Sequence, residues 1–374
     1  MAKILMVNLP YAGHTNPTLP LARQLVNAGH DVAYINAPEW REAILETGAV
    51  FIPYEGYPSG LSEQKKKTLC FAAAFRTVMR YGKEYELLIY EMLFYPAKKA
   101  AERLGIPCVR QFSQPAWNEK SYNAIKSSSR LFQLSSKLID LQMMNRRTMK
   151  EIGVDRGLVH AVINDKPGLN IVYVAGAFQP LRDTFDASYL FVGPPVQPGA
   201  HVKNDFAATK KPLIYISMGS IMSSRIFCKR CIKAFADKDV TVILATGRIN
   251  PSSLGELPSN ITAYAYAPQM DVLRRADLFI THAGMNSVNE ALYFGVPMLA
   301  LPVMNDQPSN AEQLVRLGIG KRMRAFPTTS KLLYEAAMGV LHDRSIKDRS
   351  IQIGAQIRSD REAGNLVRAV EALL

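Results

Sequence analysis

Two short stretches of the chain hold residue types that can do chemistry. In NLPYAGHTNPTLPLARQL (8–25), His14 sits between a glycine and a threonine, where an apolar run turns into an amphipathic one. The preceding run KILMVN (3–8) reads as a buried strand, so His14 falls at a strand's carboxyl end. Open α/β sheets bind their ligands at that edge. The plainer reading is a loop histidine that caps a neighbouring group. In LFITHAGMNSVNEALYFGVPMLALPVMNDQP (278–308), a strand ending at His282 is followed by the small residues Ala283 and Gly284. A helix over 285–294 comes next, stopped by Gly295. The unpaired N–H groups and the dipole at such a helix start attract an anion. Asn286 and Ser287 add donors in the first turn, and Glu290, one turn later, shares the face of Asn286. An anion cradle beside a carboxylate able to accept from a ribose diol suggests a nucleotide. The plainer reading here is an ordinary capped helix with a solvated Glu290.

Two other spacings invite chemistry and lose it on position. Asp237-Lys238-Asp239 has the D-x-D spacing of metal-dependent transferases, but it precedes the strand VTVILAT (240–246) at the edge away from ligands, as a surface turn would. Cys228 and Cys231 form C-x-x-C inside the helical pattern RIFCKRCIKAF with no second pair nearby, so they read as isolated thiols and no metal site is expected.

The elements that must position these residues alternate along the chain. Asn16-Pro17 reads as an N-cap with proline at the first helical position; Leu21, Ala22, Leu25 and Val26 share one face, and Gly29 stops the helix. DVAYIN (31–36), AVFIP (49–53), ELLIY (86–90), IPCVRQF (106–112) and LNIVYV (169–174) read as further strands, with a helix over 96–104 and helical character from about 121 to 160. The proline-rich segment 191–212 reads as a linker, within which 198–211 joins the two halves. LIYISM (213–218), VTVILAT, ITAYAY (261–266), LFITH and VPMLALP (296–302) then restart the alternation. Two doubly wound α/β domains are expected, 1–197 and 212–356, with ligands in a cleft between them and a final helix over 357–374 packing back on the first domain.

The totals agree. With 374 residues the chain is long enough for two cores, and 48% hydrophobic with 21% charged residues marks it as globular. No apolar run is long enough to span a bilayer, no secretory signal is recognisable, and four cysteines are too few for a disulfide framework, so a cytoplasmic protein is expected. The net charge of +13 is spread in small clusters without a nucleic-acid-binding signature, which favours an anionic ligand over nucleic acid.

The block T-H-A-G-x-N-S-x-x-E-A-x-x-x-G-V-P, with Asp-Gln shortly after, resembles the signature of UDP-sugar glycosyltransferases of GT-B fold, most closely the bacterial macrolide and flavonoid transferases. GHTNP (13–17) with GH (29–30), FQP (178–180) with FVGPP (191–195), ISMGS (216–220) and YAPQ (266–269) match further family motifs in the same order, over nearly the whole chain. The resemblance implies an inverting, metal-independent transfer from a UDP-sugar, with no prosthetic group. His14 would be the general base, a role that suits histidine because the residue type ordinarily titrates near working pH. Its orienting carboxylate, usually Asp in the family, would here be Glu91, with the same charge on a longer arm. His282, Gly284, Asn286 and Ser287 would hold the diphosphate, with Gly219 and Ser220 lining the loop beside it. Glu290 would hold the ribose. Tyr266 would stack on the uracil, and the backbone near Ala267 and Gln269 would read its edge. Asp306 and Gln307 would hold sugar hydroxyls, a pair resembling that of glucose-using relatives. The acceptor would be a small apolar natural product. Tyr11, Trp117, Phe132 and Met143 (with Met144) are its candidate contacts, unless the last three pack as core. The basic, amphipathic segment 126–150 could instead rest on a membrane and serve a lipid acceptor. A nucleotide-sugar binder without turnover, or an epimerase of GT-B-like fold, would carry the same donor motifs. A monomer or weak dimer is expected.

Overall fold

The computed structural model describes all residues except 59, 61, 129–145, 155–156, 196–210, 220–223, 305 and 364–365. Ser220, Phe132, Met143, Met144 and nearly all of the linker segment lie outside the described residues. The chain divides into two units, the first formed by Met1–Pro195 with Glu362–Leu374 and the second by Val196–Arg361.

The first unit is built on a seven-stranded sheet of β1 (Lys3–Val7), β2 (Asp31–Asn36), β3 (Val50–Pro53), β4 (Leu87–Glu91), β5 (Cys108–Phe112), β6 (Leu169–Val172) and β7 (Tyr189–Phe191). The spatial order is β3-β2-β1-β4-β5-β6-β7, and every pairing is parallel. Strands covered on both faces must be apolar throughout, and β1 and β4 are buried at nearly every position. Ile4, Met6, Leu21, Leu25, Ile89, Val109 and Ile171 belong to one core. The helix Leu366–Glu371 completes that core: Val370 is fully buried in it, Leu366, Val367 and Leu373 pack against it, and Glu371 Oε1 lies 3.1 Å from His30 Nε2. Ile357 belongs to the second unit, because the chain passes back to the first only at Glu362.

The second unit repeats the plan with β8 (Leu213–Ser217), β9 (Thr241–Ala245), β10 (Ile261–Tyr264), β11 (Leu278–Thr281), β12 (Met298–Ala300) and β13 (Gly320–Arg322). The order β10-β9-β8-β11-β12-β13 is again wholly parallel. In both sheets the first and fourth strands are neighbours, and the connections leave them to opposite sides. That arrangement opens a crevice beyond their carboxyl ends, the position where such sheets bind ligands.

One expected boundary is corrected. Asn16 is no N-cap: its backbone is helical (φ −54°, ψ −44°), and helical structure begins earlier, at Ala12–Thr15, with Tyr11 as N-cap. The N–H groups of both His14 and Thr15 donate to the Tyr11 carbonyl (2.9 and 2.8 Å). His14 therefore stands in a turn of helix directly beyond β1, a firmer mount than a loop. Pro17 falls in a 3-10 turn, and the longer helix Leu19–Asn27 takes Pro20 in its first turn. The D-x-D segment lies before β9 at the edge opposite the crevice, with Asp239 paired to Lys211 at 3.0 Å. Cys228 and Cys231 are buried in the second unit's core, where burial pushes both thiols up.

Candidate functional site

In the first unit, the helical turn after β1 and the ends of β4 and β5 bring His14, Glu91 and Ser113 together. Nδ1 of His14 lies 2.9 Å from Glu91 Oε1 and 2.8 Å from Ser113 Oγ, and Ser113 Oγ donates to Glu91 Oε1 at 2.9 Å. The other carboxylate oxygen, Oε2, accepts from the Leu93 N–H (2.9 Å) and so caps the turn Met92–Phe94. Glu91 is thus fixed at both ends, and its extra methylene does not keep it from the imidazole. The His14 side chain is 23% exposed and that of Glu91 1%, so the imidazole can meet a ligand while its carboxylate stays dry. Tyr11 sets its ring edge-on to His14, with centroids 6.5 Å apart. The turn that carries His14 is tied down by Asn8, whose Nδ2 donates to the His14 carbonyl (3.2 Å) and to Thr18 Oγ1 (2.9 Å). Thr15 Oγ1 donates to the Leu9 carbonyl (3.0 Å).

In the second unit, His282 follows β11 at the fourth strand's end and Gly219 follows β8 at the first strand's end. His282 is buried beside both Gly219 and Gly284. Burial pushes its imidazole down to about 4, opposed by the Ser217 backbone, and its Nδ1 has no hydrogen-bond partner among the described residues. The ring is neutral at pH 7. Ala283 turns the chain with a φ of 64°, and the helix Met285–Phe294 starts from Gly284, which brings no capping side chain. The first N–H groups of that helix are left for an anion. Asn286 and Ser287 lie in this first turn as expected.

Glu290 is not the solvated residue of the plainer reading. Burial pushes its carboxyl up, and Gln269 Nε2 donates to its Oε2 at 2.6 Å and to Ser287 Oγ at 3.3 Å. Tyr215 OH, from β8, donates to Gln269 Oε1 at 3.3 Å. Gln269 is therefore present through its side chain, where sequence reasoning expected the backbone nearby. Tyr266 is 70% exposed, a ring presented to solvent beside Ala267. Such a ring is available for stacking.

Asp306 and Gln307 separate in role. Asp306 Oδ2 accepts from Asn310 Nδ2 at 2.8 Å, and the same Nδ2 donates to the Ala283 carbonyl at 3.0 Å. Asn310 thereby ties the loop after β12 to the turn after β11. Gln307 is buried, and its Oε1 accepts from the Val303 and Met304 N–H groups (2.9 and 3.1 Å). Its acceptor oxygen is held by the loop's own backbone, which fixes the side chain in place. Trp117 is likewise buried and packs on Tyr122 with ring centroids 5.9 Å apart. Sequence reasoning missed Ser113 and Asn310. The available signal was a small polar residue directly after a strand for Ser113, and an asparagine one turn beyond Asp306 for Asn310.

Comparison with known proteins adds a family. A model of the family described as UDP-glucoronosyl and UDP-glucosyl transferase matches residues 197–372. The NDP-glycosyltransferase YjiC of Bacillus subtilis (strain 168) is 30% identical, over 98% of this chain and 95% of its own length. The oleandomycin glycosyltransferase of Streptomyces antibioticus is 28% identical, over 98% and 90%. Among solved structures, the glycotransferase of kitacinnamycin superposes with a TM-score of 0.82 at 28% identity, covering 100% of this chain and 99% of its own. The calicheamicin glycosyltransferase CalG4 superposes with a TM-score of 0.80 at 26% identity, covering 100% and 98%.

Proposed function

Since the chain belongs to the UDP-glucoronosyl and UDP-glucosyl transferase family, we propose that it moves glucose from UDP-glucose to a hydroxyl of a small apolar acceptor, with His14 as general base. The chain is a glycosyltransferase of GT-B fold, and its donor class is the nucleotide sugars. The sugar, the acceptor and the base are the proposed part.

The observation that carries the base assignment is the 2.9 Å contact between His14 Nδ1 and the buried Glu91 carboxylate. A carboxylate at Nδ1 keeps the proton on that nitrogen, directs Nε2 at the acceptor and stabilises the imidazolium that forms. In the proposed step, Nε2 takes the proton of the acceptor hydroxyl as its oxygen attacks the anomeric carbon. The bond from that carbon to the diphosphate breaks, and UDP leaves with the electron pair. One displacement inverts the anomeric centre. The leaving diphosphate gains charge, and the N-terminus of the helix Met285–Phe294, Ser287 and Asn286 are fixed donors for it, with the neutral ring of His282 beside them. Such preorganised donors lower the barrier without having to reorganise. Glu290 takes the ribose hydroxyls, Tyr266 stacks on the base, and Asp306 takes the sugar.

The proposed acceptor is a macrolide, flavonoid or other phenol, and the likeness to the oleandomycin and calicheamicin transferases supports a natural product of this kind. Tyr11, beside His14, is the acceptor contact proposed from the described residues. No helix among the described residues is long and apolar enough to cross a membrane.

The test is mass spectrometry of reactions holding UDP-glucose and a mixed panel of phenols, flavonoids and macrolides. Wild type should give hexose-shifted products, and His14→Ala should lose them. UDP binding with no product from any pair would remove the proposed acceptor class and leave a lipid acceptor or a nucleotide-sugar binder without turnover. Product from His14→Ala at the wild-type rate would remove the base assignment.

A further inference from the structure

Ser113 closes a triangle that the His14–Glu91 pair does not need in order to touch. Its hydroxyl is 2.8 Å from His14 Nδ1 and 2.9 Å from Glu91 Oε1, while Nδ1 and Oε1 are themselves 2.9 Å apart. Its own backbone N–H points at the same Oε1, at 3.5 Å. Ser113 is nearly fully buried and follows β5, which pairs with β4 so that Glu91 stands opposite Gln111. The side chain therefore cannot swing to solvent, and its position is set by the sheet.

We propose that Ser113 is a positioning residue for the His14–Glu91 pair, locking the imidazole with its Nδ1 proton toward the carboxylate. The inference rests on the reading of His14 as the base.

Only one proton arrangement satisfies all three edges of the triangle. If Nδ1 bears the proton, that proton is shared between Oε1 and Ser113 Oγ, and the hydroxyl donates to Oε1. If Nδ1 is bare, its lone pair faces a carboxylate oxygen at 2.9 Å with nothing between them. That tautomer, whose Nε2 carries the proton and could not act as a base, is disfavoured by the Glu91 carboxylate, and Ser113 adds to this by committing its hydroxyl proton to Oε1 and keeping its oxygen as an acceptor for the Nδ1 proton. Its donation to Oε1 also spreads the charge of Glu91, which holds back protonation of the imidazole. Tyr34 and Tyr173 interact electrostatically with this carboxylate, and burial keeps both phenols neutral. They do not titrate across the working range, so a change at His14 on altering Ser113 comes from the triangle.

The test does not depend on knowing the acceptor. Histidine labelled with ¹⁵N is followed by NMR from pH 5 to 9 in the full chain, with the His14 signals assigned by their loss in His14→Gln. Wild type should show a neutral His14 protonated at Nδ1. Ser113→Ala should show a larger share of the Nε2-protonated tautomer than wild type and a His14 pKa raised by about 0.5 or more. Ser113→Thr, which keeps the hydroxyl, should return the wild-type pattern. Ser113→Cys keeps the size with a weak donor, so it should resemble Ser113→Ala even if the alanine variant folds poorly. His14 signals in Ser113→Cys that overlay those of wild type through the titration would overturn the proposal. Turnover of UDP-glucose with the acceptor panel separates the two readings. A His14→Ala variant as active as wild type removes the base assignment. An inactive His14→Ala beside a Ser113→Cys with unchanged kcat and unchanged NMR removes only the role of Ser113. The expected kinetic result is a fall of about tenfold or more in kcat for Ser113→Cys with an unchanged KM for UDP-glucose, the size expected for losing one hydrogen bond to a charged group.

Discussion

Gly219 and His282 fit only without a side chain between them: a β-carbon at position 219 would fall 2.6 Å from Cε1 of the imidazole and 2.9 Å from Nε2. Gly284 meets the same ring, and a β-carbon there would fall 2.4 Å from Nε2. The two glycines come from the ends of different strands, so the imidazole is located by both. Gly284→Ala, at an ordinary φ of −64°, tests the contact without backbone strain. It should weaken UDP binding by tenfold or more in calorimetry, because the ring must move off the proposed phosphate site. Gly219→Ala adds the strain of a φ of 69° and should cost more. Unchanged UDP affinity in Gly284→Ala would remove His282 from the donor site.

The neutrality of His282 sets a pH dependence. The unfolded chain takes up this proton near pH 6.5 and the folded chain only near 4. Between those values the unfolded state binds more protons, so stability falls as pH drops through that window, by on the order of 3 kcal/mol at its end. Glu290, raised by burial, acts the other way: its contribution is present at low pH and is lost as pH rises through its folded value. Denaturant unfolding at pH 7 and pH 4.5 should show a larger loss for wild type than for His282→Asn. Equal losses would mean that the imidazole is not held neutral.

Glu91 combines a charge at the imidazole with a cap on the turn Met92–Phe94. Glu91→Gln preserves the size and removes the charge. Its kcat should fall by about 10²–10⁴, the range for losing acid–base assistance, while KM for UDP-glucose stays the same. Glu91→Asp should retain more activity than Glu91→Gln in steady-state kinetics; the reverse order would make the contact structural.

Asn310 holds the Ala283 carbonyl and the Asp306 carboxylate on one amide nitrogen. Asn310→Leu leaves both acceptors without that donor and should cost about 1–3 kcal/mol of stability. It should also raise KM for UDP-glucose several-fold while UDP affinity changes less, as follows from the proposed role of Asp306 at the sugar. Thermal melts and donor kinetics read the two effects apart.

Tyr266 is exposed in the second unit. Tyr266→Ala should weaken UDP binding by about tenfold, since stacking a base on an aromatic ring contributes about 1–3 kcal/mol. Tyr266→Trp should bind at least as well as wild type.

The strands were legible because parallel strands covered on both faces must be apolar along their whole length, as LLIY and LFIT are. β7 (YLF) and β13 (GKR) escaped because they are three residues long and lie at sheet edges, where that rule lapses. His282, Asn286, Ser287 and Glu290 were legible because one strand, one turn and one helix carry them all. Asn16-Pro17 misled because the turn before it is closed by Asn8, Thr15 and Thr18, whose bonds local spacing does not reveal. Ser113 and Asn310 escaped for a related reason. Each acts on residues brought from other strand ends, so its role depends on the strand order β1-β4-β5 and β11-β12.

The helix Leu366–Glu371 gives the chain an unusual order of assembly. The second unit is threaded into the first like a guest between two stretches of its host. As the polypeptide leaves the ribosome, the stretch through Pro195 emerges with an apolar face near Leu25 for which Val370 has not yet been made. The guest can close its own sheet while the host waits. The part of the enzyme that carries His14 is translated first and finished last.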